Sequence, residues 1–185
     1  MRRAEQALPV REFYICKILL NSFKTVPCFK DKKMDYKTET KAMKLKSSWI
    51  LWAHNTRNKN WSIDSFKKLY VVDNIYYALN LAKNIRFMNT GMDQYFIMRD
   101  GILPVWEDPK NKEGGVFYMK IPKNDFIYVW QNLILRMFGE TLTNESETIN
   151  GLSIKFGNGN EHKIKIWNDD KEKPIPDVFN PEIKT

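Results

Sequence analysis

Ser48-Trp49-Ile50-Leu51-Trp52-Ala53-His54 is a run of large residues free of Gly and Pro, the composition of a largely buried β-strand. Working outward from it, Asn55 to Asn60 is a polar loop that delivers Trp61, and Phe66 to Val72 reads as a second strand. Asp73 is placed to cap a helix over Asn74 to Ile85, where Ile75, Ala78, Leu79 and Ala82 recur at helical spacing. Tyr95 to Arg99 reads as a third strand, stopped by Asp100-Gly101, and Gly114-Gly115 opens a fourth at Val116 to Ile121. Asn124 or Asp125 can cap a second helix with Phe126, Trp130, Leu133, Ile134 and Met137 on one stripe and Gly139 at its end. Two last strands, Leu152 to Phe156 and His162 to Trp167, flank Gly157-Asn158-Gly159-Asn160. The order β, β, α, β, β, α, β, β predicts an α+β fold, an antiparallel sheet with helices on one face, and no internal repeat is visible.

Upstream, residues 24–48 alternate Lys, Asp, Glu, Thr and Ser with few apolar residues, as a linker or tail does. The expected division is a basic N-terminal extension over 1–44, a folded domain over 45–170 and an irregular tail over 171–185 carrying Pro174, Pro176 and Pro181. A chain of 185 residues with 43% hydrophobic and 28% charged residues suits one domain with a core. The net charge of +8 is uneven: residues 1–44 hold 11 Lys and Arg against 5 Asp and Glu. That places the basic excess in a leader, solvated or near polyanions, and not evenly over a DNA-coating surface.

Apolar runs such as Ile18 to Leu20 and Phe126 to Trp130 are far shorter than the roughly 20 residues that span a bilayer. Arg2-Arg3 ahead of Phe13 to Leu20 has the look of a secretion signal, but Lys17 interrupts it and no small-x-small cleavage site follows, so a cytoplasmic protein is expected. Two cysteines, Cys16 and Cys28, and two histidines, His54 and His162, support neither a disulfide framework nor a metal site. Lys, Asn and Ile number 23, 17 and 17, the bias of an A/T-rich coding sequence.

Catalysis has little to work with. There is no Gly-rich phosphate loop, no Gly-x-Ser-x-Gly and no nucleophile beside a histidine, and His54 reads as an edge-of-sheet residue. Tryptophan is the unusual feature, at six positions. Trp49, Trp52 and Trp130 suit a core, whereas Trp61 and Trp106 stand in polar or turn-rich surroundings, where an exposed indole serves as a stacking platform.

Trp49-x-x-Trp52, Trp61, Asp100-Gly101-Ile102-x-Pro104-x-Trp106-Glu107-Asp108-x-Lys110-Asn111-Lys112-x-Gly114-Gly115, Gly139-Glu140 and Lys163-Ile164-x-Ile166-Trp167 follow one another in an order that resembles the eukaryotic translation initiation factor 4E family. That family binds the 7-methylguanosine cap of mRNA, and the resemblance runs from about residue 45 to 170. It implies a curved antiparallel sheet with helices on the convex face and a cap-binding slot on the concave face. It also implies that Trp61 and Trp106 stack the cationic base, that Glu107 accepts hydrogen bonds from it, and that Trp167 walls the methyl group. The resemblance makes Lys163 a phosphate ligand; Lys165 alternates onto the same strand face, and Lys155 on the preceding strand could partly replace charges the family has elsewhere. No catalysis, cofactor or metal is implied. The partners are capped mRNA and, through the helical back, a translation-initiation scaffold protein.

The departures from the family pattern are specific. Val116 stands where the family has Arg, and the Gly157 to Asn160 stretch replaces an Arg and a Lys. On the back, Tyr77 occupies the place of a peptide-docking Trp, and Gln131 and Asn132 replace an apolar residue and a Glu, with Leu135 and Gly139 retained. The chain ends 18 residues past Trp167, where the family continues with another helix and strand. These features suit a divergent copy such as one from a parasite or a large DNA virus. The leading expectation is a cap-binding initiation factor; a cap-holding repressor or decoy and a general single-stranded RNA binder are the alternatives.

Overall fold

Alternation along each strand sorts side chains into two environments, one covered by helices and one open. In the computed structural model, which describes residues 36–85, 88, 93–143 and 145–172, the strands are β1 (Lys44–Asn55), β2 (Phe66–Asn74), β3 (Asp93–Arg99), β4 (Gly115–Pro122), β5 (Ile149–Lys155) and β6 (Glu161–Asn168). They form one sheet in the order β2-β1-β3-β5-β6-β4, antiparallel at every junction. Among the described residues the α-helices are α1 (Tyr36–Ala42), α2 (Ile75–Lys83), α3 (Pro109–Glu113) and α4 (Lys123–Phe138). The fold is the expected α+β one, a curved antiparallel sheet with helices against its convex side.

The main core lies between that convex side and the two longer helices. Trp49, Leu51, Ile97, Leu152, Ile164 and Ile166 from the strands meet Ala78, Leu79 and Ala82 from α2 and Phe126, Trp130, Leu133 and Phe138 from α4. Trp49 and Trp130 are fully buried, and each removes on the order of 200 Å² from water, roughly 5 kcal/mol of transfer free energy. On the concave side a second cluster forms from Phe66, Phe96, Met98, Ile102, Val105 and Trp167, with half-buried Trp52 against it.

Three local expectations change. Asn74, not Asp73, caps α2: its Oδ1 accepts from the Tyr77 amide at 3.0 Å, while Asp73 pairs with Lys44 Nζ at 2.6 Å. Neither Asn124 nor Asp125 caps α4, which begins at Lys123 after Pro122 without a side-chain cap. Residues 36–48 are α1 and the start of β1 instead of a linker, with Thr40 and Leu45 buried and the Ile75 amide donating to the Met43 carbonyl at 2.9 Å. Cys16, Cys28, the Arg2-Arg3 start and the tail prolines lie outside the described residues. Among the described residues no helix is long and apolar enough to cross a membrane.

Gly139 ends α4 as expected, and the residue after it ties the sheet to the helix layer. Glu140, at φ +52°, receives Arg99 in a two-point ion pair at 2.7 and 3.1 Å, and the guanidinium also lies 4.4 Å from the Trp49 ring centre. The Gly139-Glu140 pair therefore acts as a structural clamp.

Candidate functional site

The loop that carries Trp61 is turned by its own asparagines. Asn55 Oδ1 accepts from the Arg57 amide, Asn58 Oδ1 from Asn60 and Asn60 Oδ1 from Ser62, each at 2.9 Å. Beneath it lies His54, fully buried on interior strand β1 and not at a sheet edge, which corrects the sequence expectation. His54 Nε2 lies 2.8 Å from the Asn60 carbonyl, and because a carbonyl only accepts, Nε2 is the donor. The imidazole stacks on Trp61 at 3.9 Å with a 20° tilt, so one indole face is covered and the ring remains 46% exposed through the other. Alternation places His54 beside Trp52 on the concave face, and that was the available sequence signal for its role.

The loop that carries Trp106 is held by buried anchors. Asp108 Oδ2 accepts from the Leu103 amide at 2.9 Å and its Oδ1 from Lys110 at 3.0 Å, which starts α3. Asn111, 1% exposed, donates to the carbonyls of Leu103 and Val105 at 2.8 Å, and Asn150 Nδ2 reaches Asn111 Oδ1 at 3.1 Å. Gly114 is required by close approach, since a Cβ there would lie 1.8 Å from the Asn168 carbonyl oxygen. Most of the Asp100 to Gly115 motif thus holds the loop, leaving Trp106, 51% exposed, and Glu107 to face outward.

Both loops border one concave cavity of about 570 Å³. It gathers all the residues expected to contact a ligand, Trp61, Trp106, Glu107, Trp167, Lys155, Lys163 and Lys165, and adds Phe66, Phe96, Gln94, Tyr118 and Ser153. Trp167 is 7% exposed; its Nε1 donates to Ser153 Oγ at 3.2 Å, and its ring lies 6.3 Å from Trp106. On β6, Lys163, Lys165 and Trp167 share the concave side while Ile164 and Ile166 enter the core. Lys163 lies directly between Lys155 on β5 and Lys120 on β4, an unfavourable row of like charges. Lys165 Nζ stands 5.9 Å from the Trp167 ring centre. His162 faces the other way, edge-on to Phe126 at 4.7 Å, and burial followed by the Lys123 charge lowers its pKa. Among the described residues no cluster of three or more His, Cys, Asp or Glu could hold a metal.

On the back, the residues expected to meet a partner are half-buried, apart from Leu135. Tyr77 is half-buried, edge-on to Tyr70 at 5.0 Å and to Tyr76 at 5.5 Å, and burial, then the neighbouring Tyr77, Tyr76 and Asp73, push the Tyr70 hydroxyl up to about 12. Gln131, Asn132 and Gly139 are half-buried. Leu135 is 1% exposed and belongs to the core cluster with Leu79 and Ala82, so it is removed from the expected docking surface.

Fold and site together define a single-sheet α+β protein with an aromatic, lysine-bordered slot opposite its helices. The sequence model of the Eukaryotic initiation factor 4E family matches residues 44–178, and the chain belongs to that family. A translation initiation factor 4E homologue of Acanthamoeba polyphaga mimivirus is 30% identical over 138 residues, 62% of this chain and 51% of the relative. Initiation factor 4E-1 of Caenorhabditis elegans is 31% identical over 133 residues, 68% of this chain and 62% of its own length. The chain therefore spans between half and two thirds of these relatives. Among solved structures, Ascaris suum eIF4E-3 in complex with an m7G cap superposes with a TM-score of 0.62 at 23% identity, covering 77% of this chain and 82% of that one. C. elegans eIF4E-3 with the binding protein Mextli gives 0.63 at 23% identity, over 77% and 84%.

Proposed function

We propose that this protein binds the 7-methylguanosine cap of mRNA in the concave slot and acts in translation initiation in the cytoplasm, as a binding protein without catalysis or cofactor. The observation that carries this reading is one cavity lined by two half-exposed indoles, a carboxylate and three lysines. Those groups suit a ligand with a flat cation at one end and a polyanion at the other. N7-methylation gives guanine a delocalised positive charge, so Trp61 and Trp106 sandwich it by stacking and cation–π attraction. Glu107 accepts the guanine N1–H and amino hydrogens, and Trp167 walls the methyl group. Lys163, Lys155 and Lys165 hold the phosphates. His54 supports the reading by fixing the Trp61 ring from behind.

Quenching of tryptophan fluorescence by 7-methyl-GTP, against GTP, tests it. Two cation–π contacts of about 1–2 kcal/mol each give roughly a 30- to 1000-fold preference for the methylated nucleotide. Equal affinity for both would leave a general single-stranded RNA binder as the better description.

A second reading, a cap-holding repressor or decoy, is favoured by the back surface. There Tyr77 packs half-buried among tyrosines, Gln131 and Asn132 offer no carboxylate, and Leu135 is closed off. Under that reading a scaffold peptide binds weakly or not at all, and Tyr77→Trp partly restores it; sub-micromolar binding by the unaltered protein supports the initiation-factor reading.

A further inference from the structure

We infer that the concave side of β4 beside the slot is a subsite for the nucleotide that follows the cap, with Tyr118 stacking its base and Lys120 holding the phosphodiester that leads on from it; this rests on the cap-binding reading above. Tyr118 stands 44% exposed on a strand whose next residues inward, Met119 and Ile121, are buried. Its ring is therefore on the open side, where it lines the same cavity as Lys165, the residue directly opposite it on β6. One register step along, Lys120 faces Lys163, which faces Lys155 on the far side. This row crosses three strands and so extends about 10 Å. A single phosphate group cannot touch all of it.

Directly opposed like charges cost stability in a sheet, and packing gives no return for placing three lysines in line. A polyanion whose charges are spaced along the row does. The row ends at β4, the edge of the sheet, so a chain leaving the slot in that direction meets no further strand. An exposed ring beside a line of cations is the pairing by which single-stranded nucleic acids are held, base on aromatic and backbone on lysine. Val116 continues the exposed strip along the same side of β4 as Tyr118. The cap triphosphate occupies the inner lysines; a continuing chain, with its base and the phosphodiester after it, accounts for Tyr118 and Lys120 together.

The test compares 7-methyl-GTP, the capped dinucleotide 7-methyl-GpppA and the capped trinucleotide 7-methyl-GpppApA, which adds one phosphodiester, on the full chain at two salt concentrations. The dinucleotide is expected to bind roughly 5- to 100-fold more tightly than 7-methyl-GTP, the range of one base stacked on an aromatic ring. Tyr118→Leu should bring the ratio of the two affinities close to one, and Tyr118→Phe should keep it. Lys120→Gln should lower the salt dependence of trinucleotide binding by roughly 0.7 in the log–log slope, one phosphate contact on a single strand, and leave that of 7-methyl-GTP and the dinucleotide nearly unchanged. If 7-methyl-GTP binds well but the dinucleotide gains nothing, or if the gain survives in Tyr118→Leu, the subsite is wrong while cap binding stands. If 7-methyl-GTP itself shows no preference over GTP, the cap-binding reading fails and this inference falls with it.

Discussion

The two sides of the sheet are built from the same strands by opposite rules. On β6, Ile164 and Ile166 are fully buried against the helix layer, whereas Lys163 and Lys165, alternating with them, stand exposed. The convex side is apolar, with Arg99 met by Glu140, and its exceptions are small: among the described residues the buried Trp49 and Trp130 Nε1 and Arg136 Nε have no hydrogen-bond partner. The concave side breaks several local preferences. It exposes Trp61 and Trp106, aligns Lys120, Lys163 and Lys155, and buries His54 with its Nδ1 unpartnered among the described residues. Departures of this kind gather where function outweighs stability, so the convex side should report on folding and the concave side on binding.

The widest separation is expected between two tryptophans. Trp130→Ala opens a cavity in the convex core and should cost about 3–5 kcal/mol, lowering Tm by roughly 10 °C in a chain of this size. Trp106→Ala, at a half-exposed loop position, should change stability by about 0.5 kcal/mol or less while weakening cap-analogue binding at least ten-fold. Thermal melts and fluorescence titrations of both variants check this. A Tm loss in Trp106→Ala as large as in Trp130→Ala would erase the distinction between the two sides.

Glu107 sharpens the comparison with a single atom change. It is exposed on the slot, so Glu107→Gln leaves the fold intact. The amide offers one acceptor oxygen and turns a donor toward guanine's donors. Losing one charge-assisted bond of about 1.5–3 kcal/mol predicts a drop in 7-methyl-GTP affinity of ten-fold or more. Unaltered affinity in that variant would place the acceptor elsewhere.

How much of this was legible in sequence follows the same division. The succession of strands and the helix stripes could be read because period 2 and period 3.6 are written by the convex core, whereas the order of strands in the sheet could not. Nor could Leu135: it lies off the Phe126, Trp130, Leu133, Ile134 and Met137 stripe, and its burial in the core cluster needs the packed fold. The Trp106 loop was legible because Asp108 and Asn111, its anchors, lie within the same short motif. The Trp61 loop was legible only in part, since its asparagines resemble compositional bias and its support, His54, acts through a stack that needs the folded strand. Lys120 was missed for a related reason: it joins Lys163 and Lys155 only through sheet register.

The lysine row supplies a smaller effect with an unusual sign. Lys163 faces a lysine on each side, so Lys163→Gln relieves two unfavourable pairs and should raise stability by about 0.2–1 kcal/mol at low salt, less as salt screens the row. The same substitution should remove most of the affinity gained from 7-methylguanosine mono- to triphosphate. Melts at two ionic strengths and a phosphate-length series measure the two effects together. A destabilised variant would mean that Lys163 is held by packing and not retained for a ligand.

The smallest effect belongs to the convex side and concerns pH. His162 Nδ1 accepts a hydrogen bond from the Gly157 amide at 3.1 Å, and its ring packs on Phe126 and Phe156. Protonating Nδ1 would replace that acceptor with a donor, and burial and Lys123 both oppose the charge, so the folded pKa lies below the ordinary 6.5. A depressed histidine pKa means that the unfolded chain takes up the proton first. The contribution is therefore complete above about pH 6.5 and declines as pH falls from there toward the folded value. His162→Gln removes the titration, so the Tm difference between wild type and variant should shrink from pH 7.5 to pH 5.5, while 7-methyl-GTP affinity per folded molecule tracks between the two at each pH. Because the ring faces away from the slot, a pH dependence of binding that vanishes in His162→Gln would show that this residue serves the concave side after all.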